Sequence, residues 1–526
     1  VTEIALLLGG AALAHAVCRI TGLPAIPVMV VAGSLLALGG WISADEIQEI
    51  LVLSAAVLVF SAGTELAPEK AGQQWGAALR VGAIQFVALG LAGLGVSYAL
   101  GFRGFSLAYL AVATAASSTL VGIRILQRRR ELFEPSGRLV AGVLLLQDLI
   151  VILTAPFLQG LGAELQAALL PLGGTALLLA GAWGVKRRVT PFAARRIDED
   201  REVWLLSFLA LLFVFAGVGG AMDVPVVTSA FLAGFALSGY PVSTVARAQL
   251  DSLTTFFGAL FFTALGTFLA APAPDDLLAG VALALTVIVV TPAVVGIVAE
   301  REGFSARSAL TGGFLLAQTS EFSLVIGLQG FVAGVLAPQA FTAIAVSTVI
   351  TMALTPLLVQ DRFVWHLVHL HPFRRRTEPP SHLRDHVLLL GCGSNGSAVL
   401  DLLLTYSVPA AVVEEDPAVV RSLQEAEIPA FRGDASDRSV LTAAGLPRTR
   451  LVICTLPRAR DAGVALEAAP AIPVLVRVFE AEEEAWVRDR GGTPVSYAEA
   501  AADDFFHWFD EASGSEPRGR PSAPSL

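Results

Sequence analysis

Thirteen long apolar stretches, placed almost end to end from Val1 to about Leu370, constrain this chain more than any other feature. They fall near residues 3–20, 23–40, 48–66, 77–100, 106–126, 138–159, 164–186, 203–221, 224–240, 252–271, 277–299, 307–331 and 336–359. Stretches of roughly 18 to 25 apolar residues are long enough to cross a bilayer as helices. In lipid every backbone N–H and C=O needs a partner inside the protein, so helices are the expected form. From Arg374 onward the pattern is that of an ordinary soluble protein. Only 15% of the chain is charged, against about a quarter in soluble domains, so lipid is the solvent for most of it. The first stretch lacks a basic leader and a small-residue cleavage site, and reads as a span rather than a signal peptide.

Basic residues set the orientation. Arg128-Arg129-Arg130, Lys186-Arg187-Arg188 with Arg195-Arg196, Arg301 to Arg307, and Arg374-Arg375-Arg376 all follow odd-numbered spans. The intervening loops carry almost no basic charge. An outside N-terminus and a cytoplasmic C-terminal part satisfy every loop. A net charge of −10 argues against a nucleic-acid partner. Cys18, Cys392 and Cys454 form neither a disulfide framework nor a zinc pattern, and read as small buried side chains.

The spans repeat. AIPVMVVAGSLLALGG at 25 echoes DVPVVTSAFLAGFALSG at 223, placing Pro27 and Pro225 198 residues apart. LTAPFL at 153 echoes ALTPLL at 353, with Pro156 and Pro356 200 apart, and Gly63 and Gly266 of two further matching runs are 203 apart. Spans 1–6 and 8–13 are therefore two copies. The single span between them inverts the second copy, the plan of secondary transporters with their site at the membrane midplane.

Three polar patches interrupt this pattern: ATAASST (113–119) in span 5, Gln147-Asp148 in span 6, and AQTSEF (317–322) in span 12, which includes Gln318 and Glu321. The first and third correspond between the copies. Paired interruptions of this kind mark helices that break and cross, leaving carbonyls and helix ends near an ion. A carboxylate at bilayer depth costs about 2.5–3.5 kcal/mol on insertion scales and is functional by default. The position 200 residues beyond Asp148 is Thr348, so duplication alone does not account for the charge. One buried carboxylate holds either a proton or a dehydrated monovalent cation, and that competition is the least device that makes an antiporter. Gln147 offers a carbonyl oxygen, and Thr114, Ser117, Ser118 and Thr119 offer hydroxyl or main-chain oxygens. Potassium and sodium both accept such ligands, and the residues alone do not choose between them.

GTELAPEK (63–70), ATAASST, LLLQDLIVI, SAFLAGFALSGY (229–240), FFTALGTFL and LLAQTSEFSLVIG resemble, in order, the motifs of the monovalent cation:proton antiporter-2 family, and within it the Kef-type potassium efflux antiporters. The resemblance implies a homodimer in the inner (plasma) membrane. Its implied fold is a polytopic α-helical membrane protein of the NhaA/NapA kind, with thirteen spans in two inverted six-helix repeats and crossed broken helices. It implies that Asp148 is the ion and proton carrier, preceded by Gln147, with Glu321 matching a family glutamate. Arg124 falls where relatives carry a basic residue that can partner a buried acid. Sodium-selective, electrogenic relatives have an acid where this chain has Gln147, and a basic residue where it has Thr319-Ser320. That departure points to potassium and one-for-one exchange.

The soluble part opens HVLLLGCGSNG (386–396), a strand running into Gly391, Gly393 and Gly396 with Ser394-Asn395 between the last two. An expected helix and a second strand ending near Glu414 follow, which is the context that gives GxGxxG meaning as a cytoplasmic α/β Rossmann-like nucleotide site. FRGDASD (431–437) and LVICTLP (451–457) resemble the rest of a TrkA-N, or regulator-of-potassium-conductance, domain. That resemblance implies Asp434 as a base or ribose contact and Thr455 as a lining residue. Relatives carry Arg-Phe where this chain has Ser394-Asn395, which removes a phosphate partner that Arg477 can partly replace. The nucleotide is left open among NAD(H), AMP and ATP/ADP. The Kef resemblance also implies glutathione-linked control, which no motif in the chain carries.

The expected organisation is an exchanger domain over 1–360, a linker over 361–385, a nucleotide-binding regulatory domain over 386–500 and a disordered tail over 501–526. With no substrate domain attached, dehydrogenase chemistry is not expected. The leading reading is a nucleotide-regulated potassium/proton antiporter. Its alternatives are a sodium/proton antiporter of the same fold and a ligand-gated potassium channel, the latter opposed by the lack of a TVGYG-like filter.

Overall fold

The computed structural model describes residues 2–21, 23–42, 47–66, 74–161, 165–192, 201–238, 244–269, 272–370, 383–496 and 502. The clusters Arg195-Arg196 and Arg374-Arg375-Arg376, motif residues 67–70 and nearly all of the expected tail lie outside them. The chain divides into two compact units. The first takes in Val1–Arg128, Pro135–Glu302 and Ser308–Leu367, and the second Arg129–Glu134, Gly303–Arg307 and Val368–Leu526.

Helices make up most of the described residues of the first unit. Its first copy comprises α1 (Thr2–Thr21), α2 (Ala25–Leu38), α3 (Gln48–Glu65), α4 (Trp75–Ala99), the pair α5 (Ser106–Ala115) and α6 (Thr119–Arg128), and α7 (Pro135–Gln159). Helix α8 (Leu165–Gly184) and the π-helical turn Val185–Val189 stand between the copies. The second copy comprises α9 (Arg201–Gly220), α10 (Val226–Phe235), α11 (Thr244–Thr267), α12 (Pro274–Glu302), the pair α13 (Ala306–Leu316) and α14 (Glu321–Val332), and α15 (Pro338–Leu358). Taking each broken pair as one span, 11 helices among the described residues are long and apolar enough to cross a membrane. The expected spans at 23–40 and 224–240 are the exceptions, since α2 has 14 residues and α10 only 10. Both begin directly after a proline, Pro24 and Pro225. The missing N–H of proline suits a helix start and not its interior.

Helix packing carries the inverted repeat in its own geometry. Gly33 of α2 lies against Gly266 of α11, and a Cβ on Gly33 would fall 1.8 Å from the Thr263 carbonyl oxygen. Gly63 of α3 lies against Gly234 of α10 in the same manner, 2.2 Å from the Phe231 carbonyl oxygen. Exchanging the copies turns the first contact into the second. Small residues let backbones approach in lipid, where dispersion rather than water exclusion draws helices together.

The breaks between α5 and α6 and between α13 and α14 fall on the two polar patches. Ala116 and Ser320 have extended backbones, with ψ of 140° and 149°. Serine and threonine offer the backbone alternatives to helical bonding, and the Ser320 hydroxyl caps α14 by accepting from the Phe322 N–H at 3.0 Å. The two extended segments touch directly: the Ser320 N–H donates to the Ala116 carbonyl at 3.0 Å.

In the second unit six parallel strands form one sheet: β1 (His386–Leu390), β2 (Ala410–Glu414), β3 (Ala430–Arg432), β4 (Thr449–Cys454), β5 (Val474–Val478) and β6 (Thr493–Ser496). Their order is β3-β2-β1-β4-β5-β6, the doubly wound arrangement whose switch point lies between β1 and β4. Strand β1, buried along its length, is flanked on both edges as a central parallel strand should be. Part of the expected linker is ordered as helix α16 (Asp361–Leu370), most of which belongs to the first unit.

Candidate functional site

The crossing leaves backbone groups without helical partners, and side chains supply them. The Ser117 N–H donates to Gln147 Oε1 at 2.9 Å, and the Thr319 N–H donates to the Thr351 hydroxyl at 3.0 Å. Thr351 thus does in the second copy what Gln147 does in the first. Thr348 instead donates to its own helix at the Ile344 carbonyl. The Ser117 hydroxyl donates to the Leu316 carbonyl at 2.7 Å, and Ser323 donates to the Ala113 carbonyl at 2.8 Å. This dense exchange lets non-helical backbone lie deep within the fold.

Asp148 and Glu321 are both buried, with 4% and 2% exposure, and consecutive residues at the start of α6 hold them. The Thr119 hydroxyl donates to Asp148 Oδ2 at 2.7 Å, and the Leu120 N–H donates to Glu321 Oε1 at 3.3 Å. On the preceding residue, the Ser118 carbonyl accepts from Gln318 Nε2 at 3.1 Å. Ser118 also caps α6 through a 3.5 Å contact from the Val121 N–H. The positive end of the α6 dipole therefore lies at both carboxylates. Each of the three clustered side chains retains a buried oxygen without a hydrogen-bond partner among the described residues: Asp148 Oδ1, Gln318 Oε1 and Glu321 Oε2. Because the Gln318 amide nitrogen donates to two carbonyls, of Ser118 and Leu315, the free atom is its oxygen.

Several expected site residues take other roles. Gln147, read from sequence as a cation ligand, has its oxygen on the Ser117 N–H. Thr114 donates to the Leu110 carbonyl of its own helix at 2.6 Å and packs on Gly93. Arg124 is exposed on α6, and no ion pair among the described residues joins it to Asp148 or Glu321. Sequence reading missed Gln85 of α4, which is fully buried and accepts from Gln147 Nε2.

In the second unit, Gly391 has φ +86°, a conformation that favours glycine, and ends β1. A Cβ on Gly396 would come within 2.2 Å of the Gly391 carbonyl oxygen, whereas one on Gly393 meets nothing within 4 Å. Gly393 precedes α17 (Ser394–Thr405), where Ser394 and Asn395 form the first turn. Glu414 at the end of β2 accepts the N–H groups of Cys392 at 2.5 Å, Glu415 at 2.7 Å and Asp416 at 2.9 Å. Thr455 donates to the Gly391 carbonyl at 3.0 Å, so it braces the glycine turn.

Asp434 accepts the Ser436 N–H at 2.7 Å and pairs with Arg307 at 3.2 Å within the same unit. Arg307 also pairs with Asp461 at 3.0 Å, and Asp461 pairs with Arg458. Burial pushes the Asp461 carboxyl up, but the guanidiniums of Arg458 and Arg307 outweigh it and hold the group below its usual range. Sequence reading missed this acid. Arg477 on β5 lies over the Phe479 ring, with its guanidinium carbon 4.9 Å from the centroid. Burial raises the thiols of Cys392 and Cys454 to about 11 and about 12, which keeps both as inert buried groups.

Residues 4–360 match the family described as sodium/hydrogen exchanger, transmembrane, and residues 387–496 match the TrkA-N domain. The chain is 26% identical over 451 residues to the putative cation/proton antiporter YbaL of Escherichia coli (strain K12), covering 80% of each. It is 27% identical over 469 residues to the glutathione-regulated potassium-efflux system protein KefC of Salmonella schwarzengrund (strain CVM19633), covering 85% of this chain and 74% of KefC. Among solved structures, the sodium proton antiporter MjNhaP1 from Methanocaldococcus jannaschii matches with a TM-score of 0.52 at 15% identity. That match covers 69% of this chain and 98% of MjNhaP1, and the likeness is one of fold.

Proposed function

Because the chain belongs to the sodium/hydrogen exchanger family, we propose that it exchanges potassium for a proton at Asp148 by alternating access, under nucleotide control. It is a multi-pass membrane cation/proton antiporter with a TrkA-N domain, a transporter and not an enzyme.

One observation carries the site assignment. Three successive residues, Ser118, Thr119 and Leu120, hold Gln318, Asp148 and Glu321, and each of those keeps an unpartnered buried oxygen. A buried acceptor left unpaired is costly, and a dehydrated monovalent cation or a proton relieves that cost. No ion pair among the described residues engages either carboxylate, and a monovalent cation bound at Asp148 balances the charge of that group. Removing the cation admits a proton to the same oxygen, and charge then moves one for one.

Orientation follows from the basic loops, which place the N-terminus outside and the TrkA-N domain in the cytoplasm. On the side so assigned to the exterior, a cavity of about 550 Å³ is lined by residues that include Gln159, Asp223, Val325 and Gln329. Val325 stands about one helical turn beyond Glu321. This supports an outward approach to the carboxylates. Similarity to a potassium-efflux protein and the neutral Gln147 favour potassium over sodium. The turn at Gly391, the close approach at Gly396 and the carboxylate of Glu414 support nucleotide binding, which shifts transport only by favouring one conformation over another.

Purified protein in liposomes containing a pH dye tests the reading. Added potassium is expected to move protons, lithium to do so poorly, and NAD, NADH, AMP or ATP on the TrkA-N side to change the rate. A response to sodium with none to potassium contradicts the cation assignment. Indifference to all four nucleotides contradicts the control.

A further inference from the structure

A buried glutamine on α4 that no motif contains lies in the same network. Gln85 is fully buried, and its partners all belong to the first broken helix or to Gln147. The orientation of both amides follows from one backbone group. The Ser117 N–H can only donate, so the Gln147 atom facing it at 2.9 Å is oxygen. The Gln147 amide nitrogen then faces Gln85, which must present its own oxygen. That leaves the Gln85 nitrogen to donate to the Ala115 carbonyl at 3.4 Å.

The two glutamines therefore form a bridge that leaves the crossover at Ala115 and returns to it at Ser117. Ala115 ends α5, where carbonyls lose their helical partners, and Ser117 lies in the extended stretch where N–H groups lose theirs. The bridge substitutes for the backbone bonds that an unbroken helix would make there. Just beyond its far end come Thr119 and Leu120, which hold Asp148 and Glu321.

We infer that Gln85 is a positioning residue for exchange: acting through Gln147, it fixes the crossover at Ser117 and with it the donors that aim the two carboxylates. This rests on the reading of Asp148 as the exchange site. Gln85→Leu leaves the Gln147 nitrogen without an acceptor and frees its amide to turn away from Ser117. Gln85→Glu, in its neutral form, keeps an acceptor for Gln147 and a hydroxyl donor toward the Ala115 carbonyl, whereas an ionised carboxylate at this depth is costly.

The test is cation-driven proton movement in liposomes for Gln85→Leu, Gln147→Leu, the double variant and Gln85→Glu, each across pH and cation concentration. Outer-shell partners of an ion site typically contribute about ten- to a hundredfold to affinity or activity. Gln85→Leu is expected to raise the half-saturating cation concentration by about that factor and to shift the pH profile as Gln147→Leu does. The double variant is expected to be no worse than either single change, because both break one bridge. Gln85→Glu is expected to recover most of the affinity, and to remain informative if the leucine variant does not fold. A wild-type half-saturation and pH profile in Gln85→Leu, additive losses in the double variant, or a Gln85→Glu as impaired as Gln147→Leu would each overturn the inference. Asp148→Asn in the same vesicles separates the two levels. Its inactivity beside a normal Gln85→Leu removes only the positioning role, and its retained exchange removes the site itself.

Discussion

Asp148→Asn is expected to reduce potassium-driven proton movement to that of protein-free vesicles, with the purified protein still eluting as a single folded species. Asparagine matches aspartate in shape, and its carbonyl oxygen still accepts the Thr119 hydroxyl, which sits 2.7 Å from Asp148 Oδ2. The packing of α7 on the crossover is therefore preserved. What disappears is the charge. A neutral amide neither takes up a proton in the working range nor balances a monovalent cation, so the competition on which exchange depends has no seat. Retained exchange in this variant would move the carrier to another group and leave the arrangement around Thr119 as structural.

The second large effect is expected at the glycine crossings. A Cβ on Gly33 would lie 1.8 Å from the Thr263 carbonyl oxygen and 2.8 Å from its carbon, and one on Gly234 would lie 2.0 Å from the Phe60 carbonyl oxygen. These neighbours are backbone and cannot rotate aside, so any side chain must separate α2 from α11 or α3 from α10. Overpacking of this severity costs about 3 kcal/mol or more. Gly33→Val and Gly234→Val are expected to melt well below the wild type in detergent and to lose exchange together with fold. Gly95→Ala, on an α4 face where a Cβ meets nothing within 4 Å, is expected to melt at or slightly above the wild type. Equal melting of Gly33→Val and Gly95→Ala would contradict the close crossing.

How far the fold could be read depended on which signals are local. The spans, the inverted copies and the two breaks are legible because lipid imposes apolar runs and because ATAASST and AQTSEF interrupt them at matching places. Asp148 stands out for the same reason, being a charge within an apolar run. The glycine-rich turn before α17 is legible from its strand-turn-helix context. Gln85 is not, since a lone glutamine in an apolar helix acquires meaning only when folding brings residues 115 and 147 to it. Gly33 and Gly266 are likewise unremarkable in sequence, where glycine is frequent in membrane helices, and only the crossing of α2 and α11 distinguishes them. Thr114 misleads for a physical reason. A helical threonine can bond the carbonyl four residues back, and this one does so at Leu110. Gln147 shows the remaining limit: its amide suits a cation or a backbone N–H equally well, and only the position of Ser117 decides between them.

The central claim is that proton and cation compete for the Asp148 carboxylate, and the most direct measurement is proton release on cation binding. Purified protein in a weakly buffered detergent solution, near the pH at which exchange is half-maximal, is mixed with potassium while a soluble pH dye is followed. The wild type is expected to release protons in a saturable manner with potassium concentration, and Asp148→Asn to release none. Potassium binding without proton release in the wild type, or equal release from the asparagine variant, would contradict the account.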